Sequence, residues 1–286
     1  MLKKTAIALG TFDGLHLGHI EVLNHICKSG YEPLALTFDT PPKMTDSKSF
    51  GLILTPDAKK RILLKKGIKA KALDFKEIKN FSPTDFLNML LEKYNPALIS
   101  CGFNFRFGKD AAGDGELIKS FCDKNFIKCS ISNPVLEGGE PISSTRIRKA
   151  IEGGDIASAN KMLGRPFSFT NTVIHGDRRG RTIGFPTINQ KYPSELIVPR
   201  FGVYSGYAKI DNKQYNCIIN IGKRPTFATD YIISESHLLD FDDDIYGKEV
   251  TICLTSFLRD EVKFNGIEEL KNAIAADKKK AEMEFK

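Results

Sequence analysis

Two rhythms of hydrophobic and polar positions divide the chain. In the first half, short apolar runs recur at 5–9 (within it Ala6-Ile7-Ala8-Leu9), 33–38 (Pro33-Leu34-Ala35-Leu36-Thr37-Phe38), 70–75 and 97–101. Each is one strand long. The stretches between them carry helical signals. Thr55-Pro56-Asp57 and Ser82-Pro83-Thr84-Asp85 each offer an N-cap, a proline at the first helical position and an acid in the first turn. Leu87, Leu90 and Leu91 follow at helical spacing. Alternating strand and helix predicts a Rossmann-like α/β domain: a parallel sheet with right-handed crossovers and a ligand at the carboxyl ends of its strands.

After about residue 165 the helical signal stops. Strand-like runs lie at Gly202–Ala208, Asn216–Ile221, Tyr231–Leu239 and Val250–Leu254. Turn signals separate them: Asp211-Asn212, Gly222-Lys223-Arg224-Pro225 and Tyr246-Gly247-Lys248. This spacing predicts an antiparallel sheet or small barrel, closed by a helix over 266–280. Arg165-Pro166 reads as the linker, which gives domains at 1–164 and 165–286. The second is long enough for its own core, so a fragment starting near Arg165 is expected to fold alone.

Composition narrows the class. The chain has 286 residues, 41% hydrophobic and 27% charged, with a net charge of +7. That is ordinary for a soluble globular protein. Its lysines are scattered (Lys59-Lys60-Arg61, Lys65-Lys66, Lys278 to Lys280) and read as solvated faces, with an added affinity for polyphosphate substrates. No aromatic-interleaved basic stripe points to nucleic acid. The six cysteines form neither a C-x-x-C pair nor a zinc spacing, and Cys101 and Cys253 lie in apolar runs as small core residues. No apolar run approaches a membrane span. A cytoplasmic protein with free thiols and no membrane partner is expected.

The chemistry of the first half starts where its first strand stops. Gly10-Thr11-Phe12-Asp13-Gly14-Leu15-His16-Leu17-Gly18-His19 follows that strand and opens a helix. His16 and His19, three apart, are expected to share a face of the first helical turn. There free N–H groups and the helix dipole favour phosphate, and Gly18 allows close backbone approach. Donors so placed stabilise charge on phosphoryl oxygens during attack at an α-phosphate, with no covalent step. His16-Leu17-Gly18-His19 resembles the HxGH signature of the nucleotidyltransferase superfamily, which includes class I aminoacyl-tRNA synthetases.

Two further clusters fit that reading. Gly102-Phe103-Asn104-Phe105-Arg106-Phe107-Gly108 reads either as strand core, through its alternate phenylalanines, or as an active-site loop with Asn104 as a polar contact. In Ile142-Ser143-Ser144-Thr145-Arg146-Ile147-Arg148, Ser144 or Thr145 can cap a helix, and the same geometry binds phosphate with Arg148 adding a forked charge. Lys43-Met44-Thr45-Asp46-Ser47-Lys48-Ser49 looks like a KMSKS loop, but it carries an insertion and comes too early in the fold, so it reads as a polar loop.

In the second half, Gly184-Phe185-Pro186-Thr187-Ile188-Asn189 joins a rigid turn to a hydroxyl and an amide two residues apart. On an extended chain such residues face one side, so Thr187 and Asn189 can offer oxygens to one Mg²⁺ and its phosphates. His175-Gly176-Asp177-Arg178-Arg179-Gly180-Arg181 reads as a solvated hairpin or a loop over phosphates, and Asn220 to Phe227 as another tight loop. Glu235 interrupts the strand Ile233-Ser234-Glu235-Ser236-His237-Leu238. Facing solvent it is unremarkable; facing a cleft it is a general base for a hydroxyl. Asp242, Asp243 and Asp244 read as a solvated turn.

Taken in order, these stretches resemble the bifunctional bacterial riboflavin kinase/FMN adenylyltransferase (FAD synthetase) family over essentially the whole chain. Gly202-Val203-Tyr204, Glu235 to Phe241, Asp244-Ile245-Tyr246-Gly247 and Phe257-Leu258-Arg259-Asp260-Glu261 with Phe264 add to the match. The resemblance implies that the second domain phosphorylates riboflavin with ATP and Mg²⁺. Glu235 would be the base, Thr187 and Asn189 would hold metal and phosphates, Gly184 and Pro186 would lie in the nucleotide and flavin site, and Arg259 would sit in a loop near the flavin. It implies that the first domain transfers AMP from ATP to FMN, giving FAD and pyrophosphate. His16 and His19 would stabilise the α-phosphate, Gly10, Thr11, Phe12 and Gly18 would line the ATP site, and Asn104, Ser144, Thr145 and Arg148 would complete it. The implied partners are riboflavin, FMN, FAD and ATP, with a monomer or weak homo-oligomer. Two stretches depart from the family: Thr37-Phe38-Asp39-Thr40-Pro41-Pro42 stands where Phe-Glu-Pro-His-Pro is usual, and Asn104 where many relatives carry Asp. The alternatives are a kinase whose adenylyltransferase is weak or lost, a non-catalytic FMN-sensing protein, and a tRNA-binding relative of the synthetases. Intact His16, His19, Arg148 and Glu235 argue against the second; the missing late KMSKS loop and anticodon domain argue against the third.

Overall fold

A computed structural model describes residues 3–38, 51–176, 180, 183–211, 213–224 and 231–284. The KMSKS-like stretch 43–49, the departures at 39–42, Asp177-Arg178-Arg179, Arg181, Asn212 and Pro225-Thr226-Phe227 lie outside these residues. The chain packs as two compact units, Met1–Ser144 and Thr145–Lys286.

The first unit holds β1 (Thr5–Leu9), α1 (Leu17–Cys27), β2 (Glu32–Thr37), α2 (Pro56–Lys65), β3 (Lys69–Ala72), α3 (Phe75–Ile78), α4 (Pro83–Tyr94), β4 (Pro96–Gly102), α5 (Gly115–Lys124), β5 (Lys128–Ser132) and the two-residue strands β6 (Leu136–Glu137) and β7 (Glu140–Pro141). Its main sheet is parallel throughout, in the order β3-β2-β1-β4-β5. The expected caps form: Thr55 Oγ1 accepts from Ala58 N, and Ser82 and Asp85 make a reciprocal capping box. Alternation along β1 explains the two-sided core. Ala6 and Ala8 face a layer containing Val22, Leu23 and Ile26 of α1, where small residues let the helix approach. Ile7 and Leu9 face a layer with Phe86, Leu87 and Leu90 of α4 and Ile118 of α5. Strand order reverses direction between β1 and β4, so the loops that leave their carboxyl ends flank a topological switch point.

The second unit contains α6 (Ser144–Gly153, its first residue at the boundary), α7 (Ile156–Leu163), β8 (Phe167–Thr172), β9 (Ile188–Lys191), β10 (Gly202–Ile210), β11 (Lys213–Arg224), β12 (Tyr231–Leu238), β13 (Glu249–Arg259) and α8 (Ile267–Glu284). Six antiparallel strands run in the order β8-β13-β10-β11-β12-β9. The sheet curls until its edges meet: Ile174, just beyond β8, bridges Asn189 of β9, and Ile174 N donates to Asn189 O at 2.8 Å. Buried Gln190 braces this seam, its Nε2 donating to Asn171 O and Val250 O. The linker signal at Arg165-Pro166 marks a turn in the chain rather than the packing boundary. Asn160 of α7 accepts from Phe167 N at 2.7 Å and donates to Leu254 O at 2.9 Å, and Ile156, Ala159, Met162 and Leu163 are buried.

Candidate functional sites

In the first unit, the loop from β1 to α1 is held in a tight path by positive φ at Phe12 (49°), Gly14 (82°) and Leu15 (42°). Phe12 and Leu15 are buried and anchor it. Asp13 Oδ1 accepts from Ile53 N, and Ser144 Oγ donates to Asp13 O at 3.0 Å. The expectation that both histidines lie within the first helical turn needs correction. His16 precedes the helix and is its N-cap: its Nδ1 accepts from His19 N at 3.3 Å, the role usually filled by a Ser, Thr or Asp oxygen. A neutral His16 therefore carries its proton on Nε2. The cap folds the two rings together, with centroids 3.6 Å apart and planes 17° apart, and the Phe12 ring edges onto His19 at 5.4 Å. A Cβ on Gly18 would stand 3.2 Å from the His16 ring, and one on Gly10 3.1 Å from that of Phe12, so both glycines keep room for these rings.

Lys59 corrects another expectation. Its place in the run Lys59-Lys60-Arg61 predicts a solvated side chain, yet it is 5% exposed. Its Nζ donates to Thr11 O, Thr37 Oγ1 and Phe38 O, at 3.3, 3.0 and 2.6 Å. It thus ties the loop after β1 to the end of β2. The only signal was its placement four residues before buried Leu63 on α2. Beyond β4, residues 103–107 are a loop rather than a strand, as Phe105 N donates to Gly102 O. Phe107 is buried and packs against Phe86 and Phe105, Phe103 is exposed, and Asn104 is exposed near Gly102.

Thr145 and Arg148 lie on α6, within the second unit. Thr145 is exposed and Arg148 buried.

The second unit brings three polar residues into one cross-strand row. Glu235 of β12 pairs with Asn220 of β11 on one side and with Asn189 of β9 on the other. Directly paired residues share a face of a sheet, with strands about 4.8 Å apart. Glu235 and Asn220 are half-buried and Asn189 is buried. Thr187 lies two residues before Asn189, just ahead of β9, and its carbonyl receives Asn189 Nδ2 at 3.5 Å. Gly176 makes room: a Cβ there would come within 2.5 Å of the Asn189 amide. Gly184, at φ 86°, turns the chain into this segment, and His237 Nδ1 donates to Pro186 O at 2.8 Å. These donors are a hydroxyl, an amide and a carboxylate, the oxygen set that suits Mg²⁺. Asp242 to Asp244 are exposed, with Asp244 Oδ1 accepting from Tyr246 N in a turn.

Arg259 does not sit in a loop. It ends β13, and its guanidinium grips Asp277 of α8 in a fork: Nε lies 3.0 Å from both carboxylate oxygens and Nη2 2.8 Å from Oδ2. Nη1 donates to Asp260 O, and Phe264 lies under the cation at 5.7 Å. Sequence reasoning gave no sign of Asp277, which is 18 residues away and one turn before buried Ala281 on the inner face of α8.

Residues 1–146 match the FAD synthetase family and residues 163–285 the riboflavin kinase family. The chain is 35% identical to the bifunctional riboflavin kinase/FMN adenylyltransferase of Listeria monocytogenes, over 92% of this chain and 87% of the relative. It is 34% identical to the protein of that name from Bacillus subtilis, over 97% and 92%, and 31% identical to that from Escherichia coli K12, over 95% and 90%. Among solved structures, it is similar to a Streptococcus pneumoniae protein named for macrolide efflux, with a TM-score of 0.88 and 31% identity over 96% of this chain and 93% of the other. Among the described residues of this chain, no helix is long and apolar enough to cross a membrane.

Proposed function

This chain belongs to the bifunctional riboflavin kinase/FMN adenylyltransferase family, and from that premise we propose that it carries out both reactions: riboflavin and ATP give FMN, and FMN and a second ATP give FAD and pyrophosphate. Two family matches, over residues 1–146 and 163–285, carry this reading. We propose the kinase in 165–286 and the adenylyltransferase in 1–164, a functional division that falls later than the packing boundary because Thr145 and Arg148 serve the first reaction.

In the kinase, Glu235 takes the proton of the riboflavin 5′-hydroxyl as its oxygen attacks the γ-phosphorus of ATP and ADP leaves. Gly184 and Pro186 shape the turn beside the substrates. Thr187 Oγ1 and Asn189 Oδ1 would hold Mg²⁺, which supplies neutralisation of phosphate charge when bound. Arg259 acts as a positioning residue: clamped by Asp277, it fixes the segment that follows β13. In the adenylyltransferase, a phosphate oxygen of FMN attacks the α-phosphorus of ATP. His16, through Nε2–H, and His19 donate to the phosphoryl oxygens as charge builds there. Gly10, Thr11, Phe12 and Gly18 line the ATP side, and Asn104, Ser144, Thr145 and Arg148 complete the site. No nucleic-acid or membrane partner enters, and cytoplasmic placement as a monomer or weak homo-oligomer completes the reading.

The test is incubation of the pure protein with riboflavin, ATP and Mg²⁺, with flavins separated by chromatography. FMN followed by FAD is expected. FMN alone would overturn the adenylyltransferase half, and unchanged riboflavin would overturn the kinase half.

A further inference from the structure

Lys59 has no part in the roles assigned above, yet it stands at the edge of the first unit's site. Thr55 caps α2, and buried Leu63 anchors that helix in the layer that Ala6 and Ala8 face. Lys59 lies one turn before Leu63 on the same face, which aims its stem at the carboxyl ends of β1 and β2. The backbone ladder between these strands stops there, as Gly10 N donates to Leu36 O at 3.4 Å. Past that rung, among the described residues, side chains take over. Thr37 Oγ1 donates to Thr11 O at 2.8 Å, and Lys59 Nζ donates to Thr11 O, Thr37 Oγ1 and Phe38 O. These three oxygens match the three N–H donors of an ammonium. A trans peptide unit is planar, so its C=O and N–H point opposite ways. With the Thr11 carbonyl drawn to Lys59, the Phe12 N–H points away from Lys59. The Phe12 ring meets His19 edge-on at 5.4 Å, so this peptide stands beside the histidine pair.

We propose that Lys59 is a positioning residue for adenylyl transfer. Its ammonium turns the Thr11 and Phe38 carbonyls away from the incoming triphosphate and keeps the Phe12 N–H toward it. A carbonyl oxygen carries partial negative charge, and one left facing a polyphosphate repels it. An N–H already held in place stabilises phosphoryl charge without reorganising as the charge builds. Lys59 itself faces protein rather than ligand, being 5% exposed with its donors on Thr11, Thr37 and Phe38. It forms and breaks no bond and acts through the two segments that it ties. A shift of about 1 Å at the reacting groups can cost about 100-fold in rate. Loss of the tie is therefore read in turnover more than in the KM for ATP. The proposal rests on the first unit being the adenylyltransferase, and it adds a residue that lies 40 positions after His19 in the chain.

The test measures FAD formation by the full chain from supplied FMN, ATP and Mg²⁺, with circular dichroism to confirm folding. Lys59→Met keeps most of the stem without its charge. Its kcat should fall about 100-fold while the KM for ATP stays within about threefold of the parent. Lys59→Ala leaves a gap that matches propylamine, the part of the side chain beyond Cβ. Propylammonium should raise the kcat of that variant about tenfold, whereas 1-propanol, with one donor in place of three, should not. A folded Lys59→Met with kcat within about twofold of the parent would overturn the proposal, as would equal recovery with 1-propanol. If Lys59→Met fails to fold, Lys59→Ala with propylammonium decides, and a fold restored without turnover counts against the role given to Lys59. Failure of the adenylyltransferase reading looks different, since the parent itself would then form no FAD.

Discussion

Replacing Asp277 by Asn tests how far the grip of Arg259 holds the second unit together. The Asp277 side chain is 3% exposed and that of Arg259 23%, so the carboxylate has left water and the guanidinium largely has. Two N–H groups, Nε and Nη2, make three contacts with the carboxylate at 2.8–3.0 Å that compensate them. Breaking one side of a buried pair costs about 3–5 kcal/mol, because the partner charge stays behind. The Arg259 head retains some water, and its Nη1 keeps the Asp260 carbonyl, so Asp277→Asn should fall at the low end, about 3 kcal/mol. Replacing both partners, Arg259→Met with Asp277→Leu, removes both desolvation penalties and should recover most of that loss. Urea unfolding can be followed by tyrosine fluorescence. The chain has no tryptophan, and six of its eight tyrosines (Tyr192, Tyr204, Tyr207, Tyr215, Tyr231, Tyr246) lie in the second unit. FMN formation should fall in Asp277→Asn while FAD formation from supplied FMN stays level. A single variant that loses less than about 1 kcal/mol, or a double variant no more stable than the single, would refute this reasoning.

Other outcomes follow from the two sites. His19→Ala should cost FAD formation about 10²–10³-fold with FMN formation intact, and equal loss of both in a folded protein would contradict two separate sites. Glu235→Gln should cost riboflavin phosphorylation about 10²–10⁴-fold while supplied FMN still becomes FAD; normal phosphorylation would remove Glu235 from the mechanism. A fragment from Thr145 should melt cooperatively and keep kinase activity. One from Arg165 strips the two Asn160 bonds and should be less stable by at least about 2 kcal/mol, so matching urea midpoints would mean that α7 contributes little.

The elements of this fold were legible because their signals are local. Pro-containing caps at Thr55 and Ser82 and the strand-like Ala6-Ile7-Ala8-Leu9 report on residues only a few positions away. What escaped was set by long-range pairing. Glu235 reads as an isolated acid until strand pairing puts Asn220 and Asn189 beside it. Lys59 looks solvated because its oxygen partners come from two other elements, and a histidine cap at His16 runs against the usual choice of a short polar side chain. The Arg165-Pro166 signal marks a local change of backbone, but which sheet a helix joins is decided by its apolar face, here Ile156, Ala159, Met162 and Leu163.

The seam of the curled sheet has a kinetic consequence. Asn189 closes that seam with its backbone carbonyl while its side chain stands in the row with Glu235, so the fastener of the sheet and the proposed metal ligand are one residue. Parting the edges would dismantle the site, and a bound nucleotide and cation would hold them shut. Solvent exchange of the Ile174 amide hydrogen is then a direct gauge of occupancy. With ligand at about 100 times its Kd, exchange through that opening should slow about 100-fold, while amides that open without disturbing Asn189 keep their rates.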